Sequence, residues 1–265
     1  MDIIRRESPS PTVLSPPPES FFVFVVGNCE EWPEDRAEQG DEALYRAYLA
    51  QGVPEEQCVY IRDGACTLEN CQTRLETFLE LSSRTLQVGR EETDDGDGHP
   101  STLVFYYGGH GNADGFATVG GTWQFRQVAE TIETSFAGAR VLILLDCCAA
   151  GNLCLYLPDA RSAAARQYVL LATSPPYITT TTEGDEWILT NTWIRLLRRA
   201  EPPGLAAAIS LLSDRHVFEL QDLFFAHLAP HGAVLGGAWR WMPRVRDGGA
   251  PPSDAVVPSS TMPER

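Results

Sequence analysis

The chain has 265 residues, 20 of them basic and 36 acidic, with a net charge of −16 and a hydrophobic fraction of 43%. Every basic residue is arginine, which excludes chemistry that needs a lysine amine, such as a P-loop phosphate lysine or a Schiff base. The acidic balance argues against a nucleic-acid partner, because phosphate is repelled, and no apolar run is long enough to predict a membrane span.

The N-terminal residues 1–19 are rich in proline and serine and have no apolar core. They are read as a disordered leader rather than a secretory signal. FFVFVVG at 21–27 is a continuous apolar run closed by glycine, the pattern of a buried parallel strand. A polar acidic loop follows at 28–40. Asp41 is expected to cap a helix that Gly52 closes. CVYIRD at 58–63 reads as a second strand, and Thr67 with Asn70 opens a helix carrying Leu75, Phe78 and Leu79 on one face. Residues 87–101 read as an exposed acidic loop.

TLVFYY at 102–107 is a third strand that runs into Gly-Gly-His110-Gly111. A short hairpin over 115–123, a helix over 125–136 and a fourth strand, VLILLD at 141–146, come next. That strand delivers Cys147 and Cys148. YVLLATS at 168–174 is a fifth strand, with helices expected over 190–200 and 218–228 and an edge strand at 238–243. Residues 243–265 read as a disordered tail, which leaves 20–242 as one domain. Alternating strands and helices predict an α/β fold: three layers, with a mostly parallel central sheet of about six strands between helices on both faces.

In such a sheet chemistry collects beyond the carboxyl ends of the strands. His110 and the Cys147-Cys148 pair both stand there, and a thiol nucleophile needs a base within hydrogen-bond reach. Gly111 allows close backbone approach, and its N–H with that of Cys148 is placed to hold an oxyanion. The seven cysteines include an adjacent pair and show no zinc spacing, so reduced thiols in a cytoplasmic protein are expected. A redox or metal role for the adjacent pair is the alternative.

VFYYGGHG at 104–111 and ILLDCCAAG at 143–151 resemble the His-Gly and Asp-x-Cys blocks of caspase-like cysteine peptidases, including metacaspases. FFVFVVGN, DEALYRAYLAQGV and CVYIRDGACTLENCQTRLETFLE look like the first strand, first helix and second strand–helix unit of that family, and YVLLATSPP like the strand after the nucleophile. The resemblance spans roughly residues 20–200. It implies a cysteine endopeptidase with Cys148 as nucleophile, His110 as general base and acid, and the Gly111 and Cys148 N–H groups as oxyanion hole. Cys147 is the second candidate nucleophile. The resemblance places Asp146 and Asp41 in a pocket for a basic P1 residue. For Asp41 a plain helix cap competes with that role, and Arg36 keeps an aspartate preference open as a second reading.

The segment 153–167 corresponds to the link between large and small parts where such enzymes are cut, so Arg161 and Arg166 are candidate self-cleavage sites. Ala149 and Ala150 stand where the family often has His-Ser, which motivates the rival reading of a catalytically silent binding module. The partner implied is a peptide or protein substrate, with a role in regulated cell death by analogy. No metal or cofactor is expected. The acidic segment at 92–98 lacks the spacing of a calcium loop, so calcium activation has no clear motif behind it. Oligomeric state is not readable.

Overall fold

A computed structural model of the chain describes residues 20–28, 40–92, 101–158, 166–174, 188–199, 224–229 and 232–237. The expected leader and tail, Arg36, Arg161 and the strand expected at 238–243 lie outside these residues.

The frame is a seven-stranded sheet, one strand more than the sequence suggests. It contains β1 (Phe21–Asn28), β2 (Cys58–Arg62), β3 (Thr102–Gly109), β6 (Arg140–Asp146), β7 (Gln167–Ala172), β8 (Phe224–Ala229) and β9 (Gly232–Gly237), in the spatial order β2-β1-β3-β6-β7-β8-β9. The first five are mutually parallel, whereas β8 pairs antiparallel with β7 and β9 antiparallel with β8. A separate two-stranded hairpin, β4 (Gly115–Thr118) with β5 (Gly121–Gln124), sits between β3 and β6 in the chain.

The apolar runs are continuous because both faces of each central strand are buried. On one face Phe22, Phe24 and Val26 of β1 join Leu103, Phe105 and Tyr107 of β3 under α2 (Leu68–Glu92) and α3 (Phe125–Ser135). On the other, Val23 and Val25 join Val104 and Tyr106 under α1 (Gly40–Ala50) and α4 (Ile188–Leu197). Trp123 and Trp193, at 1% and 0% exposure, anchor the two cores. Each such buried aromatic contributes on the order of 2–3 kcal/mol of transfer free energy. The molecule is thus α/β, with helices on both faces of a mostly parallel sheet.

Three local expectations are corrected. The helix expected at 218–228 is instead β8 over its described part, paired antiparallel with β7 so that His227 lies opposite Val169. Pairing with an existing strand outweighs the helical spacing of its leucines. The loop expected from residue 87 begins later, because α2 runs on to Glu92. Asp41 falls in the first turn of α1, one residue inside the helix, and the Gly40 N–H donates to the side chain of Asn191 on α4 at 3.2 Å. The start of α2 is as expected: Thr67 Oγ1 accepts the Asn70 N–H at 3.2 Å. The Asn70 side chain reaches back to the Ala65 carbonyl, so the reciprocal half of a capping box is not made.

Candidate functional site

β1 leads to β2 on one side and β3 stands on its other side, so the strand order reverses beside β1, where α/β sheets form a crevice. β3 and β6 are adjacent there and in register, with Gly108 opposite Asp146. His110 and Cys148 are each two residues beyond that pair, so the two neighbouring strands deliver them to the same rim. His110 is exposed and Cys148 half-buried.

The backbones at this rim are in close contact. A Cβ on Gly111 would stand 2.4 Å from the Cys148 carbonyl oxygen and 3.1 Å from the Cys147 sulfur. Only glycine fits at that separation. Gly111 also forms an antiparallel bridge with Phe116, closed by Ala117 N–H to His110 O and Asn112 N–H to Gly115 O, both at 2.9 Å. In such a bridge the flanking residues supply the bonds, so the N–H of Gly111 itself points away from the hairpin. Tyr107 secures the same turn. Its hydroxyl lies 2.9 Å from His110 O and 2.6 Å from Ala117 O, and Asn28 donates to Ala117 O at 2.7 Å.

The two adjacent cysteines are not equivalent. Cys147 points into the core, and burial together with the Asp146 carboxylate pushes its thiol well above the ordinary range. A thiol in that state is a poor nucleophile at neutral pH. Cys148 is the one that reaches the rim.

The turn after Cys148 is tightly defined. Ala149 adopts a left-handed conformation with φ 53°, and a 3-10 turn follows over Ala150–Leu155. Its polar support comes from the end of β7. The Ser174 hydroxyl accepts the Ala150 N–H at 2.8 Å and donates to the Cys147 carbonyl at 3.1 Å, while the Ser174 carbonyl accepts the Gly151 N–H at 2.9 Å. Asn152, 1% exposed, donates to the Ala113 carbonyl at 2.8 Å and ties this turn to the loop after His110. Neither residue is marked out by the sequence, where Ser174 only closes the fifth strand; a hydroxyl ending an apolar strand is the signal that points to it.

Asp146 and Asp41 both lie on the α1/α4 side of the sheet, and both carboxylates add to the effect of burial in raising the Tyr106 hydroxyl. Asp146 is 6% exposed, and its Oδ2 accepts the Thr190 N–H at 3.2 Å and the Thr190 hydroxyl at 2.7 Å, at the start of α4. Burial pushes its carboxyl up to about 6, partly offset by those bonds. Asp41 Oδ2 accepts the Tyr60 hydroxyl at 3.0 Å, and desolvation likewise raises its carboxyl. The Asp41 carboxylate lies against Gly27, where a Cβ would stand 1.3 Å from Oδ2, so glycine at the end of β1 is what admits it. Nearby, the Asn191 amide nitrogen is buried without a partner among the described residues.

Arg166 is held at the opposite, amino end of β7. It donates to the carbonyls of Gly138 at 3.0 Å and Glu133 at 3.1 Å, also to that of Phe136, and pairs with the Glu133 carboxylate at 2.9 Å. Its guanidinium also lies over the Phe136 ring. Among the described residues no cluster of side chains suits a metal ion, and no helix is long and apolar enough to cross a membrane. No protein-family model matches the chain, and no curated protein matches it in sequence.

Proposed function

We propose that the chain is a caspase-like cysteine endopeptidase that cleaves after arginine. His110 takes the Cys148 proton, and the thiolate attacks the carbonyl carbon of the scissile bond. The Gly111 and Cys148 N–H groups receive the resulting oxyanion. His110 then protonates the leaving amine, and water hydrolyses the acyl-enzyme. Asp146 and Asp41 form the floor that attracts a guanidinium.

The observation that carries this reading is the register of β3 with β6, which brings His110 and Cys148 level at one rim with Gly111 pressed against the cysteine backbone. The burial of Cys147 supports Cys148 as nucleophile. The clamp from Ser174 supplies polar support to the turn although Ala149 and Ala150 cannot.

The test is hydrolysis of fluorogenic peptides with arginine or aspartate at P1. Wild type is expected to prefer arginine, and Cys148→Ala to lose turnover by roughly 10³-fold or more. No turnover at any P1, together with no labelling by a thiol-directed peptide probe, would refute the enzyme and leave the silent binding module.

For self-processing, the anchored guanidinium of Arg166 favours Arg161 as the cleavage site within 153–167.

A further inference from the structure

Asp41 and Asp146 belong to α1 and β6, and one side chain links the pieces that hold them. Asn191, 5% exposed, stands in the first turn of α4. Its Oδ1 accepts the N–H of Gly40 at 3.2 Å, and Gly40 is the first residue of α1 and the neighbour of Asp41. Thr190, beside Asn191 in the chain, holds Asp146 through its N–H at 3.2 Å and its hydroxyl at 2.7 Å. The path between the two carboxylates thus runs Asp41, Gly40, Asn191, Thr190, Asp146, by peptide links and hydrogen bonds alone. Farther along α4 the Trp193 indole N–H donates to the Tyr48 hydroxyl of α1 at 3.0 Å, so the helices are tied at two points. The tie beside the carboxylates is the one made by Asn191.

The Asn191 amide is only half used. Its Nδ2 is buried with no partner among the described residues. Turning the amide over does not help, because Nδ2 would then face the Gly40 N–H and two donors would meet. A leucine of similar size would leave the Gly40 N–H unsatisfied in place of Nδ2, so one buried donor group goes without an acceptor either way. Asparagine therefore gains little for stability at this position. What it adds is a fixed place for the start of α1, where Gly40 is left-handed with φ 80°. Tyr60 steadies the Asp41 carboxylate from β2 but does not fix its distance from α4.

We propose that Asn191 is a positioning residue that sets the separation of the Asp41 and Asp146 carboxylates, and through it the affinity for an arginine side chain. The inference rests on the reading of these two aspartates as the arginine pocket. A guanidinium that bridges two carboxylates needs both at set places, because its donors form a rigid planar fork. Without the bond to Gly40 the start of α1 is released and Asp41 moves with it, while Asp146 stays on Thr190. The path contains neither His110 nor Cys148, so the reacting groups keep their places.

The test compares Asn191→Leu, which removes the acceptor for Gly40, with Asn191→Asp, which keeps it, both in the full chain. Asn191→Leu is expected to raise KM for an arginyl peptide about tenfold with kcat nearly unchanged. Asn191→Asp is expected to keep KM at or below the wild-type value. Iodoacetamide, which is neutral, is expected to alkylate Cys148 at the same rate in all three proteins. KM does not depend on the fraction of enzyme that is folded, so poor folding cannot imitate the result. An unchanged KM in Asn191→Leu would overturn the proposal, as would a KM raised equally in Asn191→Asp. A slower alkylation in step with the rise in KM would also overturn it, since the variant would then disturb the whole site. Should wild type turn over no arginyl peptide, the peptidase reading fails and the pocket is measured by itself. Calorimetry of the arginyl peptide with Cys148→Ala is then expected to show binding that the added Asn191→Leu weakens about tenfold. No binding, or no weakening, would overturn the proposal.

Discussion

Burial and the proposed binding of a cation make conflicting demands on Asp146. Its carboxylate is buried against neutral partners, the Thr190 N–H and hydroxyl, which hold it in place but do not neutralise it. Its carboxyl is accordingly raised from 3.8 to about 6. The folded state then binds the proton more tightly than the unfolded chain. The stabilising contribution is complete below about pH 4 and is lost as pH rises through about 6, a change of roughly 3 kcal/mol across that window. Asp146→Asn removes this titration. Thermal melts from pH 4 to 7 are expected to show the variant gaining on wild type as pH rises, with hydrolysis of arginyl peptides falling at the same time. Parallel melting curves for the two proteins would contradict the assignment. The buried carboxylate is thus a cost in stability that a cationic substrate would offset.

At the scale of the elements, the strands at the rim were legible because each is a run of apolar residues closed by a glycine or a reactive residue. His110, Gly111, Asp146 and Cys148 follow directly from where those runs end. Two features were not legible. Residues 224–229 carry apolar residues at a spacing that suits either a helix or a strand, and only the free edge of β7 selects the strand. Arg166 reads in the sequence as a candidate self-cleavage site in an exposed link, whereas in the structure it gathers carbonyls at the end of α3, where a cation is favoured. Arg166→Ala is expected to destabilise the fold by about 1–3 kcal/mol in denaturant titration, because partly buried charge-assisted bonds are lost. Arg161→Ala is expected to leave stability unchanged and to abolish processing between residues 153 and 167. Processing that survives Arg161→Ala and stops with Arg166→Ala in a folded protein would reverse that assignment.

For the whole molecule, the charge of −16 and the Asp41 and Asp146 carboxylates would act in the same direction on the cationic substrate proposed above. Raising salt from about 0.1 M to about 1 M shortens the screening length from about 10 Å to about 3 Å. The kcat/KM for arginyl peptides is expected to fall several-fold over that range, mainly through KM, while a neutral thiol reagent reacts with Cys148 at an unchanged rate. Equal salt sensitivity of both reactions would argue against steering by the acidic surface.

The sequence by itself determined the α/β alternation, the two chemically marked strand ends and the absence of lysine chemistry, because these are properties of short contiguous stretches. Tertiary structure decided the rest. It decided which cysteine faces the core, since side chains alternate across a packed strand end. It decided that Asp41 and Asp146 act on the same buried tyrosine, Tyr106, although they come from different elements. It supplied the Ser174 clamp and the Arg166 anchor. Each of these depends on how segments distant in the chain fold against one another.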